Sequence, residues 1–156
     1  MKKILTAATI FALSLGANAM AGSHSKTIKM GIILGFTGPI ESLTPAMAAS
    51  AELAFKEASD SGSLLNGSKI EVVRADSTCV DSAAATAAAE GVISQGVAAI
   101  MGADCSGVTG AIASNVAVPN GVVMISPSAT SPGLTTLDDN GYFLELHHQM
   151  QEVDKF

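Results

Sequence analysis

Apolar positions along the chain come in two rhythms. Short runs rich in Val and Ile stop abruptly at Gly, Asp or Ser-Pro, the pattern of strands buried on both faces of a parallel sheet. Thr27 to Leu34 (TIKMGIIL), Lys69 to Ala75, Val97 to Met101 and Val122 to Ile125 are such runs. Between them, apolar residues recur at helical spacing. Met47, Ala51, Ala54, Phe55 and Ala58 share one helical face. Thr44 is the expected N-cap of that helix, Pro45 its first residue, and Ser61-Gly62 its stop. Asp81 is expected to cap a second helix, which runs through Ala83–Ala89 to Gln95 and ends at Gly96. A shorter helix begins near Ser106-Gly107 and runs to about Val116. Asn66-Gly67 and Pro119-Asn120-Gly121 turn the chain into the second and fourth strands. The order βαβαβαβ with short connections predicts an α/β fold, a three-layer sandwich around a parallel, Rossmann-like sheet.

Such a sheet brings the loops 35–44, 76–81, 102–107 and 126–135 to one edge. In open α/β sheets, ligands bind outside the carboxyl ends of the strands. Ser106 and Thr109 follow the third strand, and Ser126, Ser128, Thr130 and Ser131 follow the fourth. Hydroxyls, free backbone N–H groups and helix N-termini at that edge suit a small ligand with an anionic end, such as a carboxylate. The alternative is that Ser-Pro and Thr-Ser-Pro are turn formers only.

The composition narrows the classes. The 156 residues are 48% hydrophobic and 14% charged, with a net charge of −6. No Lys/Arg cluster exists to neutralise phosphates, so no nucleic-acid partner is expected. The N-terminus stands outside the fold. Lys2 and Lys3 precede an apolar run, Ile4 to Leu15, of signal-peptide length. Ala17-Asn18-Ala19 and Ala19-Met20-Ala21 are candidate cleavage sites, and cleavage after Ala21 makes residues 1–21 the leader. Removing Lys2 and Lys3 takes the net charge from −6 to −8. An exported chain with two cysteines favours a disulfide. Cys79 and Cys105 both follow predicted strands, so a bridge at the shared sheet edge is geometrically plausible; two free buried thiols are the alternative.

Several motifs are excluded. Gly31-x-x-x-Gly35-x-x-Gly38 is not the dinucleotide fingerprint, and no Gly-Lys-Ser/Thr phosphate loop exists, so no cofactor is expected. Gly102 to Gly107 lacks the Gly-x-Ser-x-Gly nucleophile elbow. His147-His148 are adjacent and cannot both face one way on a helix, so no metal site is expected. Glu41, Glu52 and Asp76 form no evident general acid/base pair.

The segment IKMGIILGFTGPIESLTPAMAASAELAFKEASDSGSLLNG resembles the start of the mature type I periplasmic solute-binding proteins of ABC importers, whose best-known members bind leucine, isoleucine and valine. DSTCVDSAAATAAAEGVISQGVAAIMGADCSG resembles their disulfide-bearing segment, and VVMISPSATSPGLT their second ligand loop. The resemblance covers Lys26 to about Phe143 and implies the N-terminal lobe, incomplete, of a two-lobed clamshell that docks on an inner-membrane permease. It implies a Cys79–Cys105 disulfide, a ligand carboxylate held by Ser106, and Thr130 with the backbone at Ser128 holding the carboxylate and ammonium. Leu43 falls about where amino-acid binders of the family often carry an aromatic cover, which leaves the ligand open between an amino acid and a similar small polar solute. Residues 26–143 are thus read as the lobe and residues 1–21 as its export signal to the periplasm.

The last stretch, Leu144 to Phe156 (LELHHQMQEVDKF), departs from the family and is read as a frameshifted tail. Back-translated and read from the third base of the Leu144 codon, it can give Arg-Thr-Ala-Pro-Ser-Asp-Ala-Arg-Gly, close to the Phe-Arg-Thr-x-Pro-Ser-Asp of the family. Two other classes stay open. One is a small exported hydrolase or isomerase with Cys105 or Ser106 as nucleophile, which a free-thiol count discriminates. The other is a receptor sensor domain of the same fold, disfavoured because no membrane-spanning segment follows residue 25.

Overall fold

The computed structural model describes residues 26–144. The expected signal peptide over 1–21, and the tail beyond Leu144 with its two histidines, lie outside the described residues. The chain builds β1 (Thr27–Leu34), α1 (Thr44–Asp60), β2 (Lys69–Asp76), α2 (Ser82–Ser94), β3 (Ala99–Gly102), α3 (Ser106–Ile112, continued by a wider π turn over Ala113–Ala117), β4 (Val123–Ile125) and β5 (Phe143–Leu144). All strand pairs are parallel, in the order β2-β1-β3-β4-β5. The expected α/β sandwich is thus present, with β3 central between β1 and β4.

Successive strand residues face opposite sides of a sheet, and two cores follow from that. Ile33 of β1, Ile100 of β3, Met124 of β4 and Phe143 of β5 pack with Ala85, Ala89 and Val92 of α2 and Val108 and Ile112 of α3. Ile32 and Leu34 face the other way and pack with Ala48 of α1, flanked by Met47, Ala51, Phe55 and Met101. The small alanines of α2 let that helix lie close on the sheet. On the α1 side the cover is partial. Met101 is level with Ile125, and Ile125 with Leu144, across β3, β4 and β5. Ile125 and Leu144 are 49% and 47% exposed there.

Three expectations need correction. Thr44 is not the N-cap of α1. Leu43 holds that position without a side-chain cap, and Thr44 sits in the first turn, fully buried. Its hydroxyl donates to the carbonyl of Gly35 (3.1 Å) and, at 3.4 Å, to that of Glu41. With Thr44 already inside the helical turn, its hydroxyl points back to close the β1–α1 loop rather than to cap a free N–H of the helix. Ala54 leaves the buried stripe of α1 and is exposed, while Ser59 joins it. A fifth strand was not foreseen: β5 has two residues, too short for any periodicity to register.

The close pairing at the carboxyl end of β3 depends on Gly102. It ends β3 at a φ of 133°, and a Cβ there would sit 1.9 Å from the carbonyl oxygen of Ile33 on the neighbouring strand. Only glycine permits that approach.

Candidate ligand-binding site

The strands β1 to β4 all end at one edge, and their loops meet there. The first two loops share one acceptor: Leu34 of β1 takes N–H donors from Phe36 and Ser77, both at 2.9 Å. Asp76, at the end of β2, accepts from the Thr37 hydroxyl (2.5 Å), the Thr37 N–H (3.3 Å) and the Thr78 N–H (2.8 Å). Burial pushes the Asp76 carboxyl up, but the Thr37 hydroxyl and the N–H groups of Thr78, Thr37 and Phe36 outweigh it and hold the group below the ordinary aspartate range. Cys79 and Cys105 form a disulfide with Cα atoms 5.2 Å apart, joining the loops after β2 and β3. Both cysteines of the chain are therefore bonded, and the reading of Cys105 as a free nucleophile is overturned.

The two hydroxyl-bearing loops interlock. Ser106, the first residue of α3, accepts through Oγ from the N–H groups of Thr130 (3.2 Å) and Ser131 (3.1 Å). Among the described residues its own hydroxyl hydrogen meets no acceptor and is left for a further one. Ser128 donates its hydroxyl to the carbonyl of Asp104 at 2.9 Å. Ser126 donates to the carbonyl of Ala103 (2.5 Å) and accepts from the N–H of Ala129 (2.9 Å). Ser106 and Ser128 are half-buried, and Thr130 is exposed with no partner for its hydroxyl among the described residues.

The six hydroxyls expected at the edge therefore divide. Ser106, Ser128, Thr130 and Ser131 gather where the loops meet. Thr109 and Ser126 turn inward and are buried, at 0% and 1% exposure. Thr109 donates to the carbonyl of Cys105, four residues back in its own helix, at 2.9 Å. Ser126 is a brace under the loop. Leu43 is 59% exposed on the first loop, and Val80, also at this edge, is 72% exposed.

Sequence reasoning missed Asp104. Its carboxyl accepts from the N–H of Gly35 at Oδ2 (2.9 Å), and from the Ser77 hydroxyl (3.3 Å) and the Cys105 N–H (3.0 Å) at Oδ1. It is 3% exposed. A signal was present, since Asp104 is the one charged residue between Glu90 and Asp138. A lone carboxyl in an apolar stretch is buried only with hydrogen-bond donors around it. Among the described residues no cluster of His, Cys, Asp or Glu can hold a metal ion, and no helix is long and apolar enough to cross a membrane.

The parallel sheet, with a disulfide and two interlocked hydroxyl loops at its carboxyl edge, has the fold of the type I periplasmic binding proteins. The chain belongs to the periplasmic binding protein family, which matches residues 27–152. The Leu/Ile/Val-binding protein of Escherichia coli strain K12 is 32% identical over 138 residues, 86% of this chain and 36% of that relative. The leucine-, isoleucine-, valine-, threonine- and alanine-binding protein of Pseudomonas aeruginosa is 32% identical over 125 residues, 80% of this chain and 33% of the relative. Among solved structures, the branched-chain amino acid transporter substrate binding protein of Streptococcus pneumoniae, in complex with isoleucine, aligns with a TM-score of 0.68 at 35% identity over 77% of this chain and 33% of that one. The chain spans about a third of the length of these relatives.

Proposed function

We propose that this chain is the incomplete N-terminal lobe of the substrate-binding component of an ABC importer, carrying part of an interlobe site for an amino acid or a similar small polar solute. Its work is binding, not catalysis; the related proteins are binding proteins. The observation that carries the proposal is the meeting of Ser106 with the 128–131 loop at the carboxyl edge of the sheet. Ser106 has a hydroxyl hydrogen left to donate to a ligand carboxylate. Thr130 adds a second hydroxyl, and the backbone at Ser128 adds polar groups for the carboxylate and ammonium. A second lobe, in this reading, supplies the acidic partner for the ammonium and closes over the ligand. The assembly delivers its ligand to an inner-membrane permease after export to the periplasm through cleavage near Ala21.

The test is a chimera in which residues 26–143 replace the matching lobe of the Escherichia coli Leu/Ile/Val-binding protein. The proposal predicts that the chimera binds L-leucine, and that Ser106→Ala weakens binding by about tenfold or more, the loss expected for a hydrogen bond to a charged group. A folded chimera that binds no amino acid, or that ignores Ser106→Ala, contradicts it. The frameshift reading of residues 144–156 belongs to the same proposal, although the family match runs on to residue 152. Sequencing the coding DNA from Tyr142 onward decides it: an extra base in a run of T around the Phe143 codon supports the reading, and a confirmed frame sinks it.

A further inference from the structure

Four loops carry the proposed site, and one buried residue touches all of them. Asp104 takes Gly35 of the first loop, Ser77 of the second and Cys105 of its own loop through its carboxyl. Its main-chain carbonyl takes the hydroxyl of Ser128 from the fourth. The partners are far apart in sequence: Gly35 and Asp104 are separated by 69 positions, Ser77 by 27 and Ser128 by 24. The space around the carboxyl is tight. A Cβ on Gly35 would lie 3.4 Å from Asp104 Oδ2 and 3.1 Å from the Cβ of Cys79, itself bonded to Cys105. Ser106 follows directly on the Cys105 N–H that Asp104 holds.

We propose that Asp104 is the positioning residue of the ligand edge: its carboxyl fixes the loops after β1, β2 and β3 relative to one another, and so sets where Ser106 stands against the 128–131 loop. This rests on the reading of that edge as the ligand site. Asp104 touches no ligand itself; at 3% exposure it acts only through the groups it holds.

The two oxygens serve different loops, which gives a selective test. Asn in place of Asp keeps one acceptor oxygen and turns the other into a donor. Its oxygen goes to the Oδ1 position, where two donors converge, and its NH2 group then faces the Gly35 N–H. Backbone amide exchange by NMR on the whole chain reads the consequence. In Asp104→Asn, exchange at Gly35 rises by about tenfold or more, while Cys105 stays within about twofold and the core amides of Ile33, Ile100 and Met124 hold their protection. In Asp104→Leu, Gly35 and Cys105 both rise. If that variant does not fold, Ser77→Ala removes the hydroxyl donor alone and frees the second loop without freeing Gly35. Equal exchange at Gly35 and Cys105 in Asp104→Asn, or a rise spread evenly over the core amides, overturns the proposal. The L-leucine chimera is scored separately. A chimera that keeps Asp104 and binds no leucine, with the selective exchange pattern intact in the whole chain, removes the ligand reading and leaves the tether standing.

Discussion

The two edges of the sheet are built by different means. At the amino edge, where helices return to strands, the contacts are short-range: backbone turns, joined by side chains that reach no further than the bond from the Ile70 N–H to the Ser59 hydroxyl, eleven positions back (2.9 Å). Asn66 and Gly67 both take positive φ (56° and 66°) ahead of β2, Gly96 does so ahead of β3 (78°), and Gly121 ahead of β4 (63°). The backbone bonds that close them span three to five positions, as from Gly96 N–H to the Ile93 carbonyl (2.8 Å) and Val122 N–H to the Ala117 carbonyl (2.9 Å). At the carboxyl edge the loops are held by side chains from elsewhere in the chain. Asp104, Ser126, Ser128, Ser106 and the Cys79–Cys105 disulfide each bind a partner at least 23 positions away. Local turns fix direction, whereas long-range polar contacts fix position, and a binding edge needs the second.

The disulfide carries the largest share of the carboxyl edge's long-range hold. Cys79 and Cys105 close a span of 26 residues, worth about 3–4 kcal/mol in the chain-entropy account. Reduction, or Cys79→Ser with Cys105→Ser, is expected to lower unfolding free energy by that amount in urea melts. A loss below about 1 kcal/mol would show that the side-chain network alone holds the edge.

Next comes Ser126→Ala. It strands the Ala103 carbonyl and the Ala129 N–H in a buried setting, and the expected cost is about 1–3 kcal/mol by the same melts. At the opposite edge Gly96→Ala forces a side chain into positive φ and costs about 1–2 kcal/mol. The contrast lies in what else changes: Ser126→Ala also alters the amide signals of Ser128 to Ser131, whereas Gly96→Ala leaves them in place.

Asp81→Ala is a control within the carboxyl edge, because this residue's contacts are local. Asp81 accepts from the N–H groups of Ala83 (2.9 Å) and Ala84 (3.0 Å), and its loss should cost about 1 kcal/mol through α2 alone.

The smallest effect is acid dependence. Asp76 is held below its ordinary value of 3.8, so its native contacts contribute stability above that value, and the contribution is lost as pH falls through the lowered one. Glu52, through the Arg74 side chain, is lowered as well and adds to the same acid limb. Thr37→Ala removes the largest hydrogen bond to Asp76 and should flatten the fall in Tm between neutral pH and pH of about 3. An unchanged slope would place the acid limb elsewhere.

This division of labour also sets what the sequence could reveal. Asn66-Gly67, Gly96, Asp81 and the Val/Ile runs act on near neighbours, so β1 to β4, the three helices and their stops were readable, with small shifts at the ends. The cysteine pair was readable because two strand ends at one edge bring it together. The Ser and Thr residues of the edge could be counted but not sorted. Whether Thr109 faces a ligand or its own helix depends on its rotation about α3, and Thr44 gave up its cap for a loop carbonyl. Asp104 was invisible as a hub, because none of its partners beyond Cys105 lies near it in sequence. β5 depends wholly on pairing with β4.

The most direct measurement is an amide NMR titration of this chain with L-leucine, following Ser106, Thr130 and Ser131 against Gly67, Gly96 and Gly121. A single lobe holding part of the site predicts weak binding: shifts confined to the carboxyl-edge residues, with no saturation below about millimolar ligand. Saturation at micromolar leucine, or shifts centred on the three glycines of the amino edge, would contradict the account.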